Sequence, residues 1–322
     1  MAYSADVVRR ARRALESRKS DYESRQAARL EEIYAKLPRV QEIDTQLRSS
    51  MAAAAMSAFL GDTDAMAQVK QANLALQQER KGLITANFPP EYLEDGPVCD
   101  ICGGSGYLGS NMCSCLQELC RQEQKKELTL LACGAQRFED FRLEYYPDAV
   151  DHQYGASPRT VMARILTICK KYADGFTAES GNLLFNGGTG LGKTMLSACI
   201  ATAAAEKGYS VAYETASHLF AKLERDRFRP DEESAAEVKN FTACDLLIID
   251  DLGTELPGNF TVAALYNLLN DRLLAGKPMI ISTNLNIDEI KARYSPQIAS
   301  RLQGSFQLLP FVGEDIRVLK NK

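Results

Sequence analysis

The 322-residue sequence lacks the features that would place it in a membrane or send it out of the cell. It has no run of about 18 apolar residues, which is roughly the length needed to cross a bilayer. Its first segment, MAYSADVVRRARRALESRKS, carries arginine and glutamate where a secretory signal needs an apolar core. We therefore expect a cytoplasmic protein without membrane contact.

Histidine is also scarce. The two histidines, His152 and His218, have no partner at metal-ligand spacing, so we assign neither of them a chemical role. The net charge of -4 provides no overall attraction to nucleic acid, and any DNA contact has to come from a local basic surface.

Glycine is missing from the first 60 residues, and Pro38 is the only proline before Pro89. From Ser4 to Ala86 the sequence is rich in Ala, Leu, Glu, Gln, Arg and Lys, which predicts two or three long helices. Apolar residues recur there at three- and four-residue steps, namely Val7, Ala11, Ala14, Ile33 and Leu37. Such a stripe needs a partner surface, which is either the helices themselves or another protein.

The chain changes character after the helical part. From about Phe138, short apolar runs alternate with helical stretches, which predicts a domain boundary near 130–137, with domains at 1–135 and 136–322. A parallel, doubly wound α/β sheet fits this alternation. We predict five strands: Asn182 to Phe185, Ser210 to Glu214, Leu246 to Asp250, Met279 to Thr283 and Phe306 to Pro310.

The segment GGTGLGKT follows the first of these strands and precedes a helix. It matches the phosphate-binding pattern G-x-x-x-x-G-K-[ST] in the context that the pattern requires. Backbone N–H groups would surround the phosphates, the lysine would pair with the β and γ phosphates, and the threonine would ligate Mg²⁺. The predicted nucleotide-binding residues are Gly187, Gly188, Thr189, Gly190, Leu191, Gly192, Lys193 and Thr194.

Polar residues end two further strands. Asp250 and Asp251 follow the third strand, at the sheet edge where α/β proteins bind ligands. We expect Asp250 to hold magnesium, commonly through water, and Asp251 to orient or deprotonate the attacking water. Asn284 follows the fourth strand, where it can reach the γ-phosphate or cap the next helix.

Four of the nine cysteines cluster as Cys99-x-x-Cys102 and Cys113-x-Cys115, separated by a glycine-rich loop. Four thiolates at this spacing predict a structural zinc site. Iron–sulfur, a redox dithiol and four unligated thiols are the alternatives, and Cys120 could replace Cys115 as a ligand.

Cations and aromatic residues alternate from His218 to Arg229. That mixture is typical of single-stranded DNA binding. An amphipathic helix that buries Leu219, Phe220 and Leu223 explains the segment equally well.

Residues 138–322 resemble AAA+ ATPases, specifically the bacterial replicative helicase loaders of the DnaC/DnaI type and the related IstB transposition helpers. The resemblance depends on GGTGLGKT together with LLIIDDLGTE, ISTNL, IASRL and GEDIR in this order. It implies that Asn284 is sensor 1, that Arg301 is an arginine finger for a neighbouring subunit, and that Arg317 is a sensor 2-like arginine. Arg293 competes with Arg301 for the finger role.

The resemblance also implies partners. A zinc-bearing N-terminal domain is similar to the helicase-binding domain of the DnaI-type branch, so the expected function is ATP-dependent loading of a replicative helicase hexamer onto single-stranded DNA, with self-association of the AAA+ domains. Two alternatives remain, an IstB-like transposition helper and a nucleotide-gated scaffold with negligible hydrolysis.

Overall fold

The computed structural model describes residues 3–60, 63–93, 98–131, 136–150, 155–256 and 258–319. They form two compact units, one comprising Arg12–Leu116 and the other comprising Met1–Ala11 with Gln117–Lys322. The division at 135 made from sequence, with its separate docking function, stays a prediction. In the described ranges, no helix combines the length and the apolar character that a membrane span requires.

The predicted N-terminal helices are present as α1 (Ala5–Lys36), α2 (Pro38–Leu60) and α3 (Thr63–Asn87). Ile33, Val40 and Ile84 are buried together in the Arg12–Leu116 unit. An ion pair between Arg80 and Asp44 at 2.8 Å joins α3 to α2. This part of the apolar stripe therefore packs within the chain.

A short antiparallel hairpin, β1 (Tyr107–Leu108) and β2 (Asn111–Met112), lies within the cysteine-rich segment. Its glycines, Gly106 and Gly109, have positive φ angles of 78° and 61°, which residues with a side chain rarely adopt. The hairpin returns the chain so that Cys113 and Cys115 follow it directly, and α4 (Ser114–Leu131) begins at this point.

The larger unit is built on a parallel sheet of five strands, β3 to β7, in the order β4-β5-β6-β3-β7. The observed bounds agree with the predicted strands to within two residues at each end. The strands are β3 (Asn182–Asn186), β4 (Val211–Thr215), β5 (Leu246–Leu252), β6 (Met279–Thr283) and β7 (Phe306–Pro310).

Helices cover both faces of this sheet, because parallel strands need crossover connections. One core contains Phe185, Ile248 and Ile280, and the opposite core contains Leu184, Ile249 and Ile281. The helices are α5 (Pro158–Asp174), α6 (Lys193–Glu206), α7 (Ala216–Phe228), α8 (Glu232–Ala243), α9 (Asn259–Leu274), α10 (Ile287–Arg293), α11 (Pro296–Ser305) and α12 (Ile316–Leu319).

The strand order positions the site. Strand β6 lies between β3, which leads into the phosphate loop, and β5, which carries the acid pair. This arrangement confirms the predicted AAA+ P-loop fold with a five-stranded parallel sheet. The carboxyl ends of β3, β5 and β6 meet at one edge, which brings the phosphate loop, the aspartates and Asn284 together.

The outer edge of β4 is closed by a side chain of α4. The Gln124 amide donates to the Tyr209 carbonyl at 2.9 Å and accepts the Val211 N–H at 3.0 Å. Gln124 is only 4% exposed. Its amide thus hydrogen-bonds to β4 as a neighbouring strand would, and it satisfies backbone groups that an edge strand otherwise leaves open.

Candidate nucleotide site and metal centre

A cavity of about 620 Å³ opens at the carboxyl edge of the sheet. The residues that line it come from the phosphate loop, from the ends of β5 and β6, from the segment before α5 and from the C-terminal segment. They include Phe141, Arg142, Tyr145, Tyr146, Thr189, Gly190, Leu191, Gly192, Lys193, Thr194, Asp251, Thr254, Asn284 and Arg317.

The phosphate loop needs glycine for two reasons, backbone angle and space. Gly187 has a φ of 148°, and a Cβ there would lie 2.2 Å from the Phe311 carbonyl oxygen. Gly190 has a φ of 69°, and its Cβ would lie 1.8 Å from a carboxylate oxygen of Asp315. Glycine at these two positions therefore lets the loop pass close to Phe311 and Asp315 in a conformation that other residues rarely adopt.

Lys193 is buried beneath this loop. Its ammonium donates to the carbonyls of Gly187 and Gly188 at 2.7 and 2.6 Å, and to Oδ1 of Asn284 at 2.6 Å. Burial lowers the pKa of Lys193, although Asp251 and Asp250 oppose that effect. The lysine thus joins the phosphate loop to the end of β6, a contact that the sequence did not predict.

Two roles were considered for Asn284, contact with the γ-phosphate and capping of the next helix, and the structure distinguishes them. Asn286, and not Asn284, caps α10, because its side chain accepts the Glu289 N–H at 2.9 Å. Since the oxygen of the Asn284 amide faces Lys193, its N–H groups remain for an anionic ligand or a water.

Asp250 is only 3% exposed. Its carboxylate accepts the Tyr213 hydroxyl at 2.9 Å and also accepts the Ser282 hydroxyl. Asp250 is not among the described residues that line the cavity. Each oxygen of the Asp250 carboxylate thus has a hydrogen-bond donor, and its contact with magnesium through water stays a prediction.

Asp251 does line the cavity, and its backbone has a φ of 56°. A positive φ at a residue other than glycine is concentrated at functional sites. Burial, and then the neighbouring Asp250, raise the pKa of this carboxyl group. A raised carboxyl pKa moves the group toward the range of a general base.

The donor set suits magnesium. The Thr194 hydroxyl and the Asp250 carboxylate offer hard oxygen atoms at one sheet edge, and Mg²⁺ is usually held by one or two carboxylates, waters and substrate phosphates.

Arg317 enters the cavity from the C-terminal segment. Its own N–H donates to Asp315 at 2.9 Å, and the next contact is the Ile316 N–H to the Gly190 carbonyl at 3.1 Å. The segment is thereby attached to the phosphate loop of the same chain, and the sensor 2-like role of Arg317 stays a prediction.

Arg301 and Arg293 occupy different surroundings. Arg293 donates to the Glu255 carbonyl and pairs with the Glu255 carboxylate at 3.6 Å. Arg301 lies 4.3 Å above the Tyr266 ring and donates to the Tyr266 hydroxyl at 2.8 Å. Arg301 is absent from the described lining of the cavity, and its predicted finger role stays a prediction.

The four predicted metal ligands lie together. The sulfur atoms of Cys99, Cys102, Cys113 and Cys115 are all within 4.8 Å of one another. The Cys99–Cys113 and Cys102–Cys115 distances are 3.9 and 3.5 Å. Four thiolates around one Zn²⁺ at about 2.3 Å give sulfur separations close to these values. Cys120, the spare considered from sequence, is not in the group.

The pKa values of two of these thiols diverge. Burial opposes ionisation of Cys102, but the Gly106 N–H at 3.3 Å and other donors outweigh it and lower the pKa to about 6. Burial and the neighbouring thiols raise the pKa of Cys115.

Helix α7 contains most of the mixed basic and aromatic segment. Leu219 and Phe220 are buried in the core, as the amphipathic interpretation predicts. The end of the helix differs, because Phe228 is 66% exposed. The Arg227 guanidinium lies 5.8 Å from the Phe228 ring centre and 5.5 Å from that of Phe260.

Sequence reasoning missed several residues of the site. Tyr213 and Ser282 face Asp250 from neighbouring strands, and only the strand order reveals that contact. Tyr146 supports the loop by donating to the Leu191 carbonyl at 2.9 Å. The aromatic residues between Phe138 and Tyr146 were the available signal for that part of the cavity.

The comparisons concern this same region. Residues 151–302 match the family described as IstB-like ATP binding protein. A 148-residue stretch, 44% of this chain, is 30% identical to an insertion sequence IS232 putative ATP-binding protein of Bacillus thuringiensis subsp. berliner and covers 58% of it. A 120-residue stretch, 37% of this chain, is 32% identical to a putative insertion sequence ATP-binding protein of Sinorhizobium fredii and covers 39% of it.

Two solved structures are similar in fold. The DnaC helicase loader aligns with a TM-score of 0.44 and 20% identity, over 54% of this chain and 97% of that chain. DnaI aligns with a TM-score of 0.44 and 17% identity, over 59% and 92%. The chain spans less than two thirds of the insertion-sequence relatives described above, and its similarity to the IstB-like ATP binding family lies within residues 151–302.

Proposed function

We propose that this protein is a Mg²⁺-dependent ATPase whose hydrolysis cycle controls the loading of a replicative DNA helicase onto single-stranded DNA. The observation that supports hydrolysis is the convergence of Lys193, Asp251, Asn284 and Arg317 on one cavity. The acid of this group, Asp251, lines the cavity beside the phosphate loop, where an attacking water needs a proton acceptor.

The residues have distinct roles. The loop from Gly187 to Thr194 supplies backbone N–H groups to the phosphates, and Lys193 offsets the charge that accumulates during transfer. Asp251 takes the proton of the attacking water, while Asn284 orients that water through its amide N–H groups. Mg²⁺, held by Thr194 directly and by Asp250 through water, would stabilise charge on the β and γ phosphates.

Arg301 completes the site of a neighbouring subunit. Arg301 is absent from the described lining of the cavity in its own chain, whereas Arg293 is already paired with Glu255. Both observations favour Arg301 as the arginine finger. An arginine supplied in trans makes hydrolysis depend on assembly.

The cysteine cluster would hold Zn²⁺ through Cys99, Cys102, Cys113 and Cys115. Its role is structural, since a closed set of four thiolates has no open position for a substrate. The unit Arg12–Leu116 that contains it lies outside the IstB-like match at 151–302. We assign this unit the contact with the helicase hexamer, because a loader needs a module beyond its ATPase.

A second candidate is a transposition helper. The sequence relatives favour it, since proteins of insertion sequences match the ATP-binding region. In that case the partner would be a transposase and the substrate would be duplex target DNA.

The two candidates are distinguished by the partner that responds to the ATP state. The full chain is mixed with a replicative helicase hexamer and single-stranded DNA covered by single-strand binding protein, with ATP, ADP or no nucleotide. Helicase transfer that requires ATP, and that Lys193→Ala abolishes, supports the loader. Failure to bind the helicase, with ATP-dependent binding of duplex DNA, supports the helper.

The DNA contact is assigned to a platform of Arg227, Phe228 and Phe260. The Phe228 and Phe260 ring centres are 6.2 Å apart, and the arginine lies near both. Exposed rings with adjacent cations stack on bases and pair with phosphates.

Phe228→Ala tests this platform. A stacked base is worth roughly 1–3 kcal/mol, so the Kd for an oligothymidine should rise about 5- to 150-fold. The control is Leu274→Ala, which removes a residue that is 80% exposed at the other end of α9. Equal affinities of both variants for the oligonucleotide in a fluorescence anisotropy titration would exclude this location.

A further inference from the structure

Ser282 lies between the two aspartates of the acid pair. It belongs to β6 and is 0% exposed. Its hydroxyl oxygen accepts the Asp251 N–H at 2.9 Å, and the same hydroxyl donates to Oδ1 of Asp250. One side chain therefore holds the backbone of one aspartate and the carboxylate of the other.

The Asp250 carboxylate is held from both neighbouring strands. Tyr213, on β4, donates to its second oxygen at 2.9 Å. Since β4 and β6 flank β5, each flanking strand supplies one hydroxyl. A carboxylate with a donor on each oxygen has a fixed plane and remains turned into the sheet.

The backbone of β5 also departs from its regular hydrogen bonding to β6 at the acid pair. The pairing of β5 with β6 shifts register between Ile249 and Leu252, and Asp251 has its φ of 56° within that interval. A bulge of this kind removes ladder hydrogen bonds and redirects a side chain. The Ser282 hydroxyl receives the N–H of Asp251 that the ladder no longer uses.

We propose that Ser282 is the positioning residue that gives the two aspartates different tasks. It keeps Asp250 inside the sheet as an indirect magnesium partner, and it stabilises the bulge that sends Asp251 into the cavity. The inference rests on the proposed ATPase function, and it assigns to Ser282 no contact with nucleotide.

The chain provides a matched control at the opposite end of β5. Ser210 is 1% exposed, donates to the Asp245 carboxylate at 2.8 Å and accepts the Asp245 N–H at 3.0 Å. Ser210→Ala therefore removes the same two kinds of hydrogen bond as Ser282→Ala. It does so at the start of β5, away from the carboxyl edge that holds the site.

The experiment compares wild type, Ser282→Ala and Ser210→Ala as full chains. A fluorescent ATP analogue is titrated with Mg²⁺ and with EDTA, and steady-state kinetics give kcat and KM. For Ser282→Ala we expect loss of most of the Mg²⁺-dependent gain in affinity, an unchanged Kd in EDTA, and a kcat lower by about 10- to 100-fold. Ser210→Ala should keep the wild-type values.

Two results would overturn the proposal. One is a Ser282→Ala protein whose magnesium response and kcat match those of Ser210→Ala. The other is an equal loss of affinity with and without Mg²⁺, which indicates a general defect of the pocket. If wild-type turnover equals that of Asp251→Asn, the ATPase proposal fails, and the magnesium response of binding still decides the role of Ser282.

Discussion

Adjacent aspartates become chemically different through their immediate contacts. Asp250 meets two hydroxyl donors inside the sheet, whereas Asp251 faces the cavity and carries a raised pKa. Burial is the larger cause of the raised pKa of Asp251, and the negative charge of the neighbouring Asp250 adds to it. The same contrast, one acid held by hydrogen-bond donors and one facing the cavity, is expected wherever one acid binds a metal indirectly and the other accepts a proton.

Replacement of Asp251 by Asn separates activity from stability. Turnover should fall by about 10² to 10⁴-fold, because the proton acceptor is lost, while ATP still binds. Without nucleotide and Mg²⁺, the melting temperature at neutral pH should rise by about 2 °C, since Asn removes a charge that folding disfavours. Calorimetry and a phosphate-release assay measure the two effects.

The effect of Asp251 on stability should depend on pH. The pKa of Asp251 is above its ordinary value of 3.8 in the folded protein, so the ionised form costs stability above the raised pKa. The advantage of Asp251→Asn should shrink as the pH falls toward 3.8. An exposed control, Asp271→Asn, should show no such trend. Wild-type turnover equal to that of Asp251→Asn would favour the scaffold alternative.

Single elements were largely predictable from sequence, and their mutual contacts were not. The apolar run Leu246–Ile249 ending in two aspartates predicted β5 and the acid edge, since a fully buried parallel strand must be apolar throughout. Local sequence carries no information on which strand lies beside β5. The hydroxyls of Tyr213 and Ser282, and the choice between Arg293 and Arg301, therefore required the strand order and the Glu255 contact.

The edge contact of α4 should have a measurable energy. Gln124→Leu leaves the Val211 N–H and the Tyr209 carbonyl without their partner, which should lower the free energy of unfolding by about 2–4 kcal/mol. Gln122→Leu, on the exposed side of the same helix, should change it by less than about 0.5 kcal/mol. Urea unfolding measures the free energy of unfolding of both variants. Equal losses in the two variants would contradict the role of Gln124.

The cysteine cluster can be tested by metal analysis. Cys99→Ser should lose the bound zinc, because three thiolates hold the ion less well than four. Cys120→Ser should keep it, since Cys120 lies outside the cluster. Because the phosphate loop belongs to the other compact unit, ATP affinity should be the same in both variants. Zinc retained by Cys99→Ser would remove the four-cysteine site.

At the scale of the whole molecule, the proposal makes one active site from two chains. Arg301→Ala should lower turnover by on the order of 10³-fold while ATP binding persists. Lys193→Ala should be inactive for a different reason, since it lacks a working phosphate loop but keeps the finger. A mixture of the two should recover activity, because a wild-type finger then faces a wild-type loop.

Coupled-enzyme assays at several protein concentrations measure this complementation. Activity that equals the sum of the separate variants at every concentration would contradict a shared site. Full activity of Arg301→Ala alone would do so as well.

The contact between Arg301 and Tyr266 affects when the arginine can reach a neighbouring subunit. Within its own subunit, the Arg301 guanidinium contacts the Tyr266 ring, the Tyr266 hydroxyl and the side-chain oxygen of Asn270. A neighbour's triphosphate must therefore compete with these contacts, of which an exposed cation–π pair is worth about 0.5–1 kcal/mol. After the γ-phosphate has left, the neighbour's nucleotide attracts the arginine less strongly, and Arg301 returns to the Tyr266 ring. If the site is shared between subunits as proposed, this exchange would loosen their association after each hydrolysis.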